Sequence, residues 1–213
     1  MNTTITIGRI LRASAAECVV GCQTDQADIP ALGDMVQIND TGAQGIFGLV
    51  TDIRVNDDGL VRQLVTSNGI PDAVIEDNRL NRNVPLELSV CFIGHAQGPT
   101  ITHLLPPRPP LSLDIMRLCS DEQVFAYLQA GNFGYFRHLL RDQNPIVEEI
   151  MAAHLSNAQR VMSSHQNPHW LDEALTEIMR LLRNDYDILM KMLSAITDTG
   201  LGELISGGAY AAQ

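Results

Sequence analysis

ALGDMVQINDTGAQGIFGLVTDIRV, residues 31–55, reads as two strands joined by a glycine-containing turn, and the rest of the chain is organised around it. Over residues 34–39 the pattern alternates, with Met35 and Gln37 on one face and Val36 and Ile38 on the other. Asp40-Thr41-Gly42 supplies the turn, and residues 45–55 a long second strand. Gly45 and Gly48 inside that strand predict a bulge or tight coiling, as a small closed barrel requires at its corners.

Upstream, residues 3–12 (TTITIGRILR) and 17–24 (ECVVGCQT) read as two strands turning at 14–16, and 29–33 (IPALG) as an entry turn. Downstream, Asn56-Asp57-Asp58-Gly59 is a strong turn signal before a strand at 60–66. Residues 67–83 are polar and irregular, with a short helix expected near 72–77. Residues 84–94 (VPLELSVCFIG) alternate again, Leu86, Leu88, Val90 and Phe92 sharing one face, and a last short strand is expected at 100–105. The expectation is an α+β chain: a closed barrel of about six strands over residues 1–105, followed by a helical domain.

Four prolines in Pro106-Pro107-Arg108-Pro109-Pro110 favour a stiff polyproline segment, read as a linker over 106–111 rather than a ligand for a recognition domain. The helical domain is placed at 112–200, with a Gly/Ala-rich tail over 201–213. Ser120-Asp121-Glu122-Gln123 is a capping box opening a helix to about residue 130, stopped by Gly131. Residues 133–141 form a second short amphipathic segment. Asn144-Pro145 and Asn167-Pro168 each pair an N-cap residue with a proline suited to the first helical position. The first opens a helix with Val147, Ile150, Met151, His154, Ala158, Val161 and Met162 roughly along one side. The second opens one long helix, about 170–196, striped by Leu171, Leu175, Ile178, Leu182, Leu189, Met192 and Ile196 and broadened by Leu181, Leu193 and Met190. That stripe is wide enough to predict more than one packing surface, and it is the candidate interaction site. Met179, Met190 and Met192 suit an adaptable partner groove, with ordinary core packing as the alternative.

The 213 residues carry a net charge of −11, and of their 14 basic side chains only Lys191 is a lysine. Up to Leu111 there are 7 basic against 12 acidic residues, a balance of −5; beyond it 7 against 13 give −6. Neither half has the basic excess that binding a phosphate backbone generally needs. Trp170, Phe133, Tyr135 and Phe136 therefore read as packing anchors rather than base-stacking platforms. The start, MNTTITIGRIL, lacks a basic cluster and an apolar core, so no signal peptide is expected, and no run is long enough to span a bilayer. Cys18, Cys22, Cys91 and Cys119 lie mostly in apolar runs and read as buried thiols of a cytoplasmic protein. Cys18 and Cys22, four apart in a strand, are expected on one face.

Catalytic signatures are missing. There is no Gly-x-x-x-x-Gly-Lys-Ser/Thr, Gly-x-Gly-x-x-Gly, Gly-x-Ser-x-Gly or His-Glu-x-x-His, and Lys191 falls late in a predicted helix. His165 and His169 straddle the Asn167-Pro168 helix boundary, which argues for loop histidines rather than a metal pair. No catalytic residue, cofactor or metal is expected.

The barrel residues resemble the HAS barrel, the domain shared by HerA-type DNA-translocating ATPases and the N-terminal crown of ATP-synthase subunits. The matching positions are Ile7-Gly8-Arg9-Ile10, Gly33-Asp34-Met35-Val36, Gly48-Leu49-Val50 and Asp52-Ile53. VPLELSVCFIG, LLPPRPP and DEQVFAYLQAG are similar to the late strand, Pro-Pro segment and connecting helix that follow in HerA-type proteins, so the likeness covers roughly residues 5–130. Where that family continues into an ATPase core, this sequence continues into acidic helices, and no nucleotide-binding residue carries over. The resemblance implies a non-catalytic assembly or adaptor subunit that forms a homo-oligomer or docks on a HerA-type ATPase. The alternative is a single-strand nucleic-acid-binding barrel, which an arginine patch of Arg9, Arg12, Arg54 and Arg62 would favour. A third possibility is an enzyme site gathering His95, His103 or His154 with carboxylates.

Overall fold

The computed structural model describes residues 5–22, 29–39, 44–55, 66, 71–73, 86–141 and 144–201. Among them the chain runs β1 (Thr6–Ala13), β2 (Glu17–Cys22), β3 (Met35–Ile38), β4 (Gln44–Val55), β5 (Leu86–Gln97), β6 (Thr100–Thr102) and β7 (Ile115–Leu118). The helices follow: α1 (Asp121–Gln129), α2 (Phe136–Arg141), α3 (Val147–Ser164), α4 (Trp170–Leu181) and α5 (Tyr186–Ile196), with a last turn at Thr197–Leu201. The α+β class stands as expected. The expected strand at 60–66 lies, but for Thr66, outside the described residues, as do Arg62 and the turns at 40–42 and 56–59; of the short helix near 72–77, Asp72 and Ala73 are described and helical.

The strand order is β2-β1-β7-β3-β4-β5-β6, all antiparallel, and a further pairing of β2 with β5 closes six of the strands into a barrel. β6 stands outside the ring, paired with the end of β5. One expectation is corrected here. The strand expected at 100–105 is no stave of the barrel, being only Thr100–Thr102 and outside the ring; β7, which lies beyond the prolines, fits between β1 and β3 and completes it. Prolines lack the N–H that a ladder needs, so residues 103–114 leave the sheet and return to it. The proline stretch therefore joins two strands of one sheet, and residues 112–118 belong with the barrel.

Alternation along β3, β4 and β5 sorts side chains between two cores. Val36, Ile38, Val50, Leu88, Val90 and Phe92 point into the barrel, with Cys18 and Cys22 beside them on one face of β2 as expected. Met35, Phe47, Leu49, Cys91 and Ile93 point outward and are covered by the helices. That two-sided burial is why VCFI, residues 90–93, is an uninterrupted apolar run. Gln37, on the outer face, is covered too, accepting a 2.6 Å hydrogen bond from Gln123 of α1.

The bulge expected near Gly48 is present: the β4–β5 register shifts between Phe47 and Gly48, and a Cβ at Gly48 would collide with Val90 Cγ1 inside the barrel. Replacing Gly48 by alanine is expected to cost about 1–3 kcal/mol through overpacking, read as a lower midpoint in denaturant melts.

Helix α1 opens with the complete capping box: Ser120 Oγ accepts from Gln123 N at 3.3 Å, and Gln123 Oε1 accepts from Ser120 N at 2.9 Å. The two Asn-Pro devices work differently from expectation. Asn144 Oδ1 accepts from Ile146 N, making a turn, and α3 begins at Val147 without a side-chain cap. α4 likewise begins at Trp170 after an uncapped His169. The single helix expected over 170–196 is two. Asp185 ends the run by capping α5, its side chain accepting from Ile188 N. α3 is the hub of the helical half, burying Ile150, Met151, His154, Ala158, Val161 and Met162 of the face read from the sequence, while Val147 at its start is half-buried.

Candidate functional site

Barrel and helices meet at a buried cluster of aromatic and histidine side chains. Tyr127 of α1 lies 4.8 Å from Phe47 of β4 between ring centroids, and its hydroxyl donates to Ile93 O of β5 at 2.9 Å. His103, carried on the chain just after β6, packs on both Tyr127 and Tyr135. Gly131 makes room for it, since a Cβ there would meet the His103 ring at 2.8 Å. The Tyr135 hydroxyl and His154 Nε2 are hydrogen-bonded at 2.8 Å, and Gly33 lies against the His154 backbone, where a Cβ would stand 2.6 Å from His154 N. Burial pushes His154 down to about 4, so it is neutral near pH 7. His103 and His138 are also lowered by burial. Neutral, hydrogen-bonded and closed to solvent, His154 acts as a joint between β3 and α3.

Beside the joint lies a cleft of about 130 Å³ between β3, α1 and α3. Asp34 stands at its rim, accepting from Ala31 N and from Asn157 Nδ2, each at 2.8 Å. Burial raises its carboxyl. Arg160 bridges across to Asp121 with two 3.0 Å hydrogen bonds. These polar contacts tie α3 to the barrel and to α1. A second cleft, about 260 Å³, lies between the β4–β5 hairpin and Pro106–Pro107, with His95 on its wall bonded to Leu104 O.

Among the described residues no three His, Cys, Asp or Glu side chains come close enough together to hold a metal ion. His103 and His154 flank Tyr135 without a carboxylate partner in their hydrogen bonding, and His95 stands apart on β5. His165 stacks on Phe125 at 4.0 Å, whereas His169 is exposed beside Asp172, so the two do not converge. Of the arginines whose gathering would favour the nucleic-acid alternative, the three described are each held by a local partner. Arg12 pairs with Glu87, Arg54 with Asp52, and Arg9 donates to Leu113 O. The four cysteines are thiols rather than disulfides, and burial pushes Cys18 up to about 12 and Cys22 up to about 11, which leaves both as weak nucleophiles.

The stripe named from the sequence is placed mostly inside. Leu171, Leu175, Ile178, Leu182 and Met192 are buried in this chain's own helical core, and Leu189 is half-buried against it. With the helix broken at residues 182–185, α4 and α5 each turn their apolar side onto that core, so these six residues are spent on internal packing. Trp170, Tyr135 and Phe136 are the packing anchors expected of them. What remains open is the other side of α5. Of its sequence, YDILMKMLSAI, Met192 and Ile196 are buried and Ile188, Leu189, Leu193 and Ala195 are half-buried against the core, while Asp187, Lys191 and Ser194 are exposed. Tyr186 (69%) and Met190 (47%), one helical turn apart, are exposed. Of the methionines singled out from the sequence, Met192 is core while Met179 and Met190 are exposed.

No protein-family model and no curated protein matches the chain. No helix among the described residues is long and apolar enough to cross a membrane.

Proposed function

We propose that this chain is a non-catalytic assembly or adaptor module, which docks through the open side of α5 on a partner protein. The observation that carries this reading is the pair Tyr186 and Met190, large apolar side chains exposed one turn apart on α5. Exposed apolar side chains that lie together on one helix face mark an interaction surface. Methionine and tyrosine suit such a surface, one adaptable and one offering apolar area with a polar tip. The likeness of the barrel to the HAS barrel suggests the partner: further copies of this chain, or a HerA-type ATPase.

Met190→Asp tests the reading. A charge placed on the exposed side of α5 is expected to leave the melting curve within about 0.5 kcal/mol of wild type. It is expected to abolish stoichiometric recovery of the partner from native extract, or to reduce the mass of the assembly in solution. A variant that associates as wild type does in both measurements would overturn it.

A further inference from the structure

Just past β6 the chain turns inward and buries His103 between the barrel and the corner that joins α1 to α2, residues 130–135. Its Nε2 lies 3.3 Å from Tyr127 O, and because a carbonyl only accepts, Nε2 carries the proton of the neutral ring. Nδ1 is therefore the nitrogen that takes an acid proton. It has no hydrogen-bond partner among the described residues, although His103 is only 8% exposed. It sits in a notch lined by two glycines. A Cβ on Gly131 would stand 2.8 Å from Nδ1, and one on Gly134 3.6 Å from it. α2 grips the same residue by its backbone: His103 O accepts from Arg137 Nη2 at 2.6 Å and from His138 Nε2 at 2.8 Å.

The groups that face His103 are all neutral or basic. Tyr127 packs on it from α1 and Tyr135 from the corner, and burial holds both phenols in their protonated form. Arg137 and His138 face it from α2, and Arg141 faces His138 in turn. His154 of α3 stands behind Tyr135, Cys91 of β5 and Cys119 lie beside Tyr127, and His95 of β5 bonds the carbonyl of Leu104. None of the side-chain hydrogen bonds of His103, His138 and His154 goes to a carboxylate. The acids of the neighbouring cleft are engaged elsewhere, Asp34 with Asn157 and Ala31 N, and Asp121 with Arg160.

A proton added at Nδ1 thus meets an arginine and no counter-charge, and a buried cation without a partner is costly. It also turns an unpaired acceptor into an unpaired donor. The ring relieves both by leaving the notch for water. Burial and the nearby Arg137 hold His103 below the ordinary 6.5, so the proton is refused near pH 7 and taken up in acid. His138, lowered chiefly by burial, adds a second charge at the His103 carbonyl. We propose that His103 is an acid-operated latch: protonation of Nδ1 expels the ring from its notch and releases the α1–α2 corner from the chain after β6, while the barrel and the helical core stay formed. The last paired residue of β6 is Thr102, so the release breaks no ladder. The latch belongs to a single chain and stands whether or not the assembly reading does.

Trp170 is the chain's only tryptophan and packs on Phe133 of the corner, 5.5 Å between ring centroids, so its emission reports on the corner. In the full wild-type chain that emission is expected to shift to the red as pH falls from about 7 to about 4, ahead of any loss of far-UV circular dichroism. His103→Gln removes the titrating nitrogen and keeps an amide donor for Tyr127 O. Its emission transition is expected to move towards acid by roughly half a pH unit or more and to lose steepness by about one proton. An NMR titration of the assigned imidazoles of the wild type needs no variant. There the His103 ring is expected to take its proton at the pH of the emission change.

An emission change that coincides with loss of circular dichroism is global unfolding and overturns the latch. So does a His103→Gln transition at the wild-type pH, or a His103 ring still neutral once the emission has changed. If His103→Gln does not fold, the wild-type titration decides by itself.

Discussion

Gly33→Ala is expected to lower the stability of the fold by about 3 kcal/mol, the left-handed backbone contributing about 1–2 and overpacking the remainder. Gly33 has φ 79 and lies where the chain entering β3 touches α3. A Cβ there would stand 2.6 Å from His154 N, 2.9 Å from Ile150 O and 3.0 Å from Ala153 Cβ. Two of those neighbours are helix backbone, which cannot swing aside as a side chain tip can. Gly33 N also donates to Val50 O of β4 at 2.9 Å, so a shift to relieve the clash pulls on the barrel. Gly98 is the internal control: it too has positive φ, 58, but nothing lies within 4 Å of a Cβ placed there. Gly98→Ala is therefore expected to cost only about 1–2 kcal/mol, the backbone part alone. Urea melts of both variants decide the point. Equal losses would show that the close approach of barrel to α3 carries no extra energy.

Acidification is expected to remove about 3 kcal/mol of stability between pH 6.5 and 4 through His154 alone. Its folded value, about 4, lies below the ordinary 6.5 because burial disfavours the charged ring. In that window the unfolded chain binds a proton that the folded chain does not. Stability is therefore complete above pH 6.5 and is lost as pH falls towards 4. His103 and His138, lowered by the same cause, act in the same direction. Asp34, raised by burial, acts oppositely and nearer the carboxylate range. His154→Gln is expected to be less stable than wild type at pH 7, because the bond to Tyr135 changes. Its stability is also expected to fall less steeply with acid, by about one proton across the window. A variant with the wild-type slope would remove His154 from the account.

The barrel was legible in the sequence because its strands alternate and its turns carry glycine. Alternation at 34–39 and 84–94 put on one face the residues that share the barrel interior, and Gly48 marked a bulge where a Cβ has no room. β7 was not legible. IMRL is four residues long, follows four prolines and precedes a capping box, so no local pattern separates it from a linker. Its place is fixed by partners over a hundred residues away in β1 and about eighty away in β3. The break between α4 and α5 was hidden for a related reason. The apolar stripe continues through Leu182, and only the cap at Asp185 distinguishes two helices from one.

The candidate surface shows the same limit. Periodicity finds an apolar stripe but not whether the chain's own core covers it, so Leu171, Leu175, Ile178, Leu182 and Met192 proved internal while Met190 stayed open. Tyr186, which opens α5, is no part of the stripe read from the sequence.

Light scattering of the purified wild-type chain, alone and after recovery from native extract, tests the assembly account most directly. A discrete multiple of the single-chain mass, or a stoichiometric complex with an ATPase, is the predicted result. A single-chain mass at every concentration, with no protein partner recovered, would contradict it.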